Sequence, residues 1–314
     1  MKLVQFQERS AGVDQPMRAG ILLDDRVIDI TALVLAVDDA RGYALMETLI
    51  DNFPKLLANL ERATGRDSGF PLAQVKLRAP VRPRKILCCI GNYWEHARRE
   101  ANPLGMYLKN PDAVIGPDDT VVLPSFPASV FHHEAELGVI MRGPAKDVSQ
   151  ADYQSAVFGY TCFIDVSARG EGRRTWSPGL GGGGFLGKSF DTFAPMGPCI
   201  TTADEIPDPN ALAVKFWNDG QLRHDYTTDD MEHRVSELVS FATGIMTLRS
   251  GDIISCGTNH EGLGPMQDGE ECVIEIEKIG RMRVHVRDPL KRKWERGIYL
   301  GPESTARLAV KSSE

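Results

Sequence analysis

From Lys85 onward the chain is cut into short apolar runs by Gly, Pro and Asp, and this punctuation constrains the fold more than any other feature. KILCCIG, TVVLP, AELGVIMRG, FGYTCFIDVS, DIISCG and CVIEIEKIGRMRVHVRD read as short strands with turn residues between them. Helical spacing is confined to NYWEHARREAN, SQADYQSAV and VSELVSFATGIMTL, with no alternation of strand and helix that would mark βαβ units. Upstream, KLVQF and RAGILLDDRVIDIT read as strands around an Asp-Asp turn. LVLAVDDARGYALMETLIDNFPKLLANLERATG then has helical spacing, broken near Pro54. Two prolines in APVRPRK mark a boundary. The expected class is α+β, mostly β: a small N-terminal α/β domain over residues 1–80, a β-rich domain over 81–289, and a charged extension over 290–314 that lies on the surface.

Within this frame the stretch FHHEAELGVIM, residues 131–141, is anomalous. It reads as a buried strand, yet it carries Glu134 and Glu136. Residues i and i+2 of a strand share a face, so the two carboxylates project together, roughly 6–7 Å apart at Cα. Like charges that close must be solvated, share a proton or hold a cation. A similar apolar strand carries Asp165, in GYTCFIDVSARG. Three carboxylates suit Mg²⁺ or Mn²⁺, which take six oxygen ligands and keep open positions for water or substrate. Spacing alone leaves two readings open, a cation site or solvated strand carboxylates.

Other totals narrow the function classes. A formal net charge of -7 argues against nucleic acid or an anionic membrane as main partner. No window approaches the roughly 20 apolar residues of a bilayer span, and MKLVQFQERSAGVDQ lacks the apolar core of a signal peptide, so a cytoplasmic location is expected. The six cysteines, Cys88, Cys89, Cys162, Cys199, Cys256 and Cys272, have no C-x-x-C spacing and read as small core residues rather than disulfides or zinc ligands. GGGFLGKS, Gly182 to Ser189, matches the pattern of a phosphate-binding loop, but no strand precedes it, and Pro195 and Pro198 oppose a helix after it. The glycines read instead as a loop beside a site, with Lys188 at its end. A lysine next to a metal site would be a fixed positive charge for a developing oxyanion or a substrate carboxylate.

Six motifs in register resemble the fumarylacetoacetate hydrolase family: GNYWEHA (91–97), HHEAELGVIM (132–141), GYTCFIDVSAR (159–169), GKSFDTFAPMGP (187–198), DEIPDP (204–209) and MTLRSGDIISCGTNHEGLGP (246–265). The resemblance runs from about Arg84 to Asp288. It implies a mixed β-roll/β-sandwich catalytic domain, a homodimer, and a divalent metal held by Glu134, Glu136 and Asp165. It also implies catalytic roles for Lys188 and for His96 as general base. If NYWEHARRE is helical, His96 and Glu100 are i and i+4 neighbours, and the carboxylate would raise the basicity of the ring. The family often has its acid three residues after this histidine, where Arg99 stands here, and Glu261 is a rival partner. On the substrate side the resemblance points to Tyr93, Arg169, His224, Gly257, Thr258 and His260. His224 replaces a usual glutamine, Thr227 a usual asparagine, and Gly170–Gly172 a usual aspartate and glutamine; His260 and Glu261 stand where proline and a small residue are common. His132 shares the face of Glu134, and His285 reads as a strand residue. The implied activity is metal-dependent hydrolysis of a carbon–carbon bond in a 1,3-dicarbonyl or 2-oxo acid, acylpyruvate or fumarylacetoacetate-like. The alternatives are a decarboxylase or isomerase of a 2-hydroxymuconate-type diacid in aromatic catabolism, and a non-catalytic binding protein on the same scaffold.

Overall fold

The computed structural model describes residues 1–10, 15–37, 45–65, 69–96, 99–170 and 186–296. Strands β1 (Lys2–Glu8), β2 (Arg18–Leu23) and β3 (Arg26–Asp29) form a meander that turns at Asp24 and Asp25. Helices α1 (Thr31–Leu35) and α2 (Leu45–Thr64) follow, then β4 (Phe70–Pro71) and β5 (Val75–Arg78). The next strands are β6 (Ile86–Cys89), β7 (Met106–Lys109), β8 (Val114–Ile115), β9 (Thr120–Val122) and β10 (Val130–His132). They lead into β11 (Ala135–Met141), β12 (Val157–Ile164), β13 (Ser167–Arg169) and β14 (Ala194–Thr202). The chain continues through β15 (Ala213–Asn218), β16 (Gln221–Thr227), α3 (Val235–Ile245), β17 (Ile253–Ser255), β18 (Glu271–Ile276) and β19 (Gly280–Arg287).

A twelve-stranded mixed sheet runs β4-β3-β2-β1-β14-β12-β11-β17-β6-β7, with β5 on β1 and β8 on β14. Because β1 pairs with β14 (Lys2 opposite Thr201), hydrogen bonds carry the sheet from the N-terminal segment into the rest. A second sheet, β16-β15-β18-β19-β9, packs against it, and β10 and β13 form a two-stranded ribbon. The architecture is mostly β, as the punctuation of the sequence indicates.

Strand β11 is buried on both faces, which is why its sequence does not alternate. Ala135, Leu137, Val139 and Met141 share a core with Phe216 and Ile274 of the second sheet and with Leu238 and Val239 of α3. The opposite face turns Ile140 toward α2, whose Leu49, Ile50, Phe53 and Leu56 cover it together with Phe158 and Ile253. Glu134, Glu136 and Gly138 belong to this second face by alternation. The carboxylates therefore stand at one end of a covered sheet surface.

Three helical expectations need correction. Helix α2 is continuous through Pro54. Its buried stripe of Leu49, Ile50, Phe53, Leu56 and Leu60 spans the proline, and burial at about 1.5–3 kcal/mol per side chain outweighs the roughly 3 kcal/mol that proline costs. Residues 91–96 are not helical. Tyr93 bridges to Met231, and Glu95 and His96 take left-handed φ values of 49° and 59°. SQADYQSAV contributes only a short 3₁₀ turn at Tyr153–Ala156. Of the expected C-terminal extension, residues 290–296 are described. Trp294 donates its indole N–H to the Ser129 carbonyl at 2.7 Å, and the Arg292 guanidinium lies 4.7 Å from the Phe131 ring centroid. Residues 297–314, and the glycine run up to Phe185, lie outside the described residues.

Candidate active site

Register brings the three carboxylates together. Ala135 pairs with Ile164 and Glu136 with Phe163 across β11 and β12, so Glu134 faces Asp165, and the Asp165 amide donates to the Glu134 carbonyl at 2.8 Å. Glu134, Glu136 and Asp165 are 4%, 1% and 1% exposed, and their carboxylate oxygens lie within 4.8 Å of one another. Burial of three acids demands compensation. Lys188 supplies part of it, its Nζ lying 2.6 Å from Glu134 and 2.5 Å from Asp165. Arg169 pairs with the other Glu134 oxygen, and Lys109 sits 2.6 Å from Asp165, which also accepts from the Tyr107 hydroxyl. Among the described residues no cation is paired with Glu136. It accepts from Ser255 Oγ at 2.5 Å and from the Gly257 amide at 2.9 Å. Gly257 can present that amide because it holds φ +85°, which side chains rarely adopt.

This asymmetry separates the two glutamates. Burial pushes the Glu136 carboxyl up to about 8, helped by the charges of Asp165 and Glu134. Burial also works to raise Glu134, but the Lys188 ammonium and Arg169 guanidinium outweigh it and hold that carboxyl well below its usual range. For Lys188, burial opposes the charge, and Asp165 and Glu134 overcome it and raise its pKa. Three clustered hard oxygen donors at the edge of a cleft of about 70 Å³ fit Mg²⁺ or Mn²⁺ by donor chemistry and spacing. Among the described residues no other group of His, Cys, Asp and Glu is so arranged.

Glu134, Glu136, Arg169, Lys188, Gly257, Thr258 and His260 all line this cleft. The remaining candidates stand elsewhere. Tyr93 is buried, edge-on to Tyr226 with ring centroids 5.1 Å apart. His224 is buried on β16, its Nε2 3.1 Å from His133 Nδ1. Burial lowers its pKa to about 3 and drives His132 and His133 well below their usual range, favouring the neutral form of each ring. His96 is 87% exposed, and its Nε2 lies 3.6 Å from Glu261 Oε2. The expected i,i+4 partnership with Glu100 does not form, because the segment is not a helix.

Four contributors escaped the sequence reading: Tyr107, Lys109, Ser255 and Glu95. Tyr107 and Lys109 share a face of β7 in the run MYLK, and a lysine inside an apolar strand is the same kind of signal that exposed Glu134 and Glu136. Glu95 binds His260 (Nδ1 to Oε1, 2.5 Å) at the cleft mouth. No comparable signal marks it.

A covered mixed sheet that ends in a buried three-carboxylate site beside a narrow cleft defines a mostly β, metal-site enzyme class. Residues 85–287 match the family model described as fumarylacetoacetate (FAA) hydrolase C-terminal, and the chain belongs to that family of enzymes. Among solved structures it is similar to a maleylpyruvate hydrolase from Sphingobium sp. SYK-6, in complex with manganese(II) ion and pyruvate. That match has a TM-score of 0.79 and 36% identity, and covers 92% of this chain and 99% of that one. A 2-hydroxyhepta-2,4-diene-1,7-dioate isomerase from Mycobacterium marinum matches with a TM-score of 0.70 at 27% identity, over 92% of this chain and 99% of its own. The mitochondrial oxaloacetate tautomerase FAHD2B of Bos taurus is 34% identical over 295 residues, 89% of this chain and 90% of that protein.

Proposed function

We propose that this enzyme cleaves the carbon–carbon bond of an acylpyruvate-type 2-oxo acid by hydrolysis, with Mg²⁺ or Mn²⁺ held by Glu134, Glu136 and Asp165. The observation that carries the reading is the clustering of three buried carboxylates, two of which line the cleft, in a chain 36% identical to a manganese- and pyruvate-bound maleylpyruvate hydrolase. When bound, the ion supplies Lewis acidity at the oxygens of a chelating oxo acid.

The chain's own groups do the rest. Lys188 and Arg169 line the cleft as fixed positive charges, suited to a substrate carboxylate and to the negative charge that develops as the carbon–carbon bond breaks. Thr258 and Tyr107 bring hydroxyls to the lining; that of Tyr107 is engaged by Asp165, and that of Thr258 is suited to orienting the substrate. His96, with Glu261 as its carboxylate partner, is positioned on an exposed segment to take a proton from the attacking water. Tyr93, packed edge-on to Tyr226, and His224, 3.1 Å from His133 beside Glu134, would support these groups from the core.

A second reading keeps the same enolate chemistry without attack by water, as an isomerase, tautomerase or decarboxylase; the isomerase and tautomerase relatives favour it. Incubation with a panel of acylpyruvates, with metal and with EDTA, separates them. Two acid products support hydrolysis, CO₂ release supports decarboxylation, and activity that survives thorough chelation overturns both. The reading extends to a homodimer, a cytoplasmic location and a place in aromatic catabolism, with residues 1–80 as a small N-terminal domain, 81–289 as the catalytic domain and 290–314 as an extension. No helix among the described residues is long and apolar enough to cross a membrane.

A further inference from the structure

The Glu95–His260 pair stands at the cleft mouth without a part in the reading above. One oxygen of Glu95 accepts from both the His260 backbone amide, at 2.8 Å, and the ring Nδ1, at 2.5 Å. Two bonds to one acceptor fix the ring's orientation and commit the Nδ1 proton to Glu95. Nε2 is left as the atom that can exchange a proton, on a side chain that lines the cleft with Glu134, Arg169 and Lys188. The loop carrying the ring is itself pinned at several points. Asn259 accepts from the Glu261 amide at 2.9 Å and donates to Asp230 at 3.3 Å, and Gly262 presses so closely on β16 that a Cβ there would lie 1.8 Å from the Arg223 carbonyl oxygen. His260 and Glu95 are only 28% and 29% exposed, against 87% for His96.

Hydrolysis of an acylpyruvate needs two proton transfers at different atoms. Water loses a proton as its oxygen bonds to the acyl carbon. The pair of electrons of the broken carbon–carbon bond leaves with the pyruvate carbon, which must gain a proton to become a methyl group. We propose that His260, positioned by Glu95, donates this second proton from Nε2, while His96 serves the water. The assignment rests on the acylpyruvate reading. The donated proton forms the new C–H bond, the ring is reprotonated from solvent, and the proton taken by His96 returns to solvent. The sum is acylpyruvate plus water giving a carboxylic acid plus pyruvate.

Run backwards on pyruvate alone, the same transfer breaks a methyl C–H bond, and in D₂O a deuteron returns. The metal-loaded protein is therefore expected to exchange the methyl protons of pyruvate, read by proton NMR. His260→Gln is expected to slow exchange at least about 100-fold, whereas His96→Gln loses hydrolysis and retains exchange. Glu95→Gln is expected to lower the exchange kcat with little change in the KM for pyruvate, and Glu95→Asp to recover part of it. In the metal-free protein, Glu95→Gln is expected to shift the ¹⁵N resonances of the His260 ring. Should His260→Gln fail to fold, Glu95→Gln carries the test. Exchange within about threefold of wild type in His260→Gln, or unaltered ring resonances in Glu95→Gln, overturns the assignment. Wild-type protein that cleaves acylpyruvates while its exchange ignores His260 removes the donor alone; wild-type protein that neither cleaves nor exchanges removes the acylpyruvate reading and the donor with it.

Discussion

Removing the charge-bearing capacity of Glu136 tests the electrostatic account of the site without any substrate. The Glu136 carboxyl sits at about 8 in the folded protein against an ordinary value of 4.5, chiefly because it is buried. The native state therefore holds a proton that the unfolded chain releases between pH 4.5 and 8. Stability contributed by this proton is fully present below pH 4.5 and is lost as pH rises through 8. The shift corresponds to about 5 kcal/mol across the whole window, at about 1.4 kcal/mol per pH unit. At the acidic end His132, His133 and His224 act in the opposite sense. Their folded pKa values are depressed, so their contribution grows as pH rises through the ordinary value of 6.5 and levels off about one unit above it. The histidine gain is common to wild type and Glu136→Gln, so between pH 6.5 and 8 the metal-free wild type should lose about 1.5 kcal/mol relative to that variant. Urea unfolding in EDTA at the two pH values measures it, with Glu136→Gln as reference, because the amide has no proton to lose. Saturating Mn²⁺ or Mg²⁺ should flatten the wild-type curve, since the ion takes the ionised carboxylate. Parallel curves for wild type and Glu136→Gln in EDTA would refute the argument.

Three further perturbations bear on neighbouring parts of the site. Lys188→Met leaves Glu134 and Asp165 without their shared ammonium and should cost about 3–5 kcal/mol in EDTA, most of it restored by a divalent ion; an unchanged urea midpoint counts against the pairing. His96→Gln should lower kcat on an acylpyruvate by about 10²–10⁴ while the melting temperature stays put, because the ring is exposed. Gly262→Ala forces a methyl against the Arg223 carbonyl and should destabilise by about 1–3 kcal/mol, read by thermal melting; an unaltered midpoint means the loop bearing His260 is softer than its packing implies.

Much of the metal site was legible because a two-residue period is strict. Glu134 and Glu136 had to share a face once the run was a strand, and a third carboxylate at the end of a similar run was a natural neighbour. What spacing could not supply was register. That Glu134 faces Asp165 follows from the Ala135–Ile164 pairing, a contact between strands far apart in the chain. The compensating charges were harder to see. Lys109 reaches Asp165 from β7, and its approach depends on β6 pairing with β17, which only the folded sheet reveals.

The segment from Gly91 to Glu100 failed for a different physical reason, and the failure falls at the residues proposed to move protons. Its residues have the composition and spacing of a helix, and nothing in a periodicity reports that Glu95 and His96 sit at positive φ. Tertiary contacts impose that conformation. Asn92 donates to the carbonyls of Cys256 and His233, and Tyr93 packs on Tyr226. A helix would have aimed His96 at Glu100. The pinned, left-handed turn instead sends Glu95 to His260 and His96 to Glu261, two carboxylate–histidine pairs joining the same two loops. Each partner lies 165 residues away in sequence, beyond the reach of any local pattern. The three clustered carboxylates, set at the ends of paired strands, are therefore partly readable from spacing, while the groups proposed to move protons are assembled by loop packing and become visible only in three dimensions.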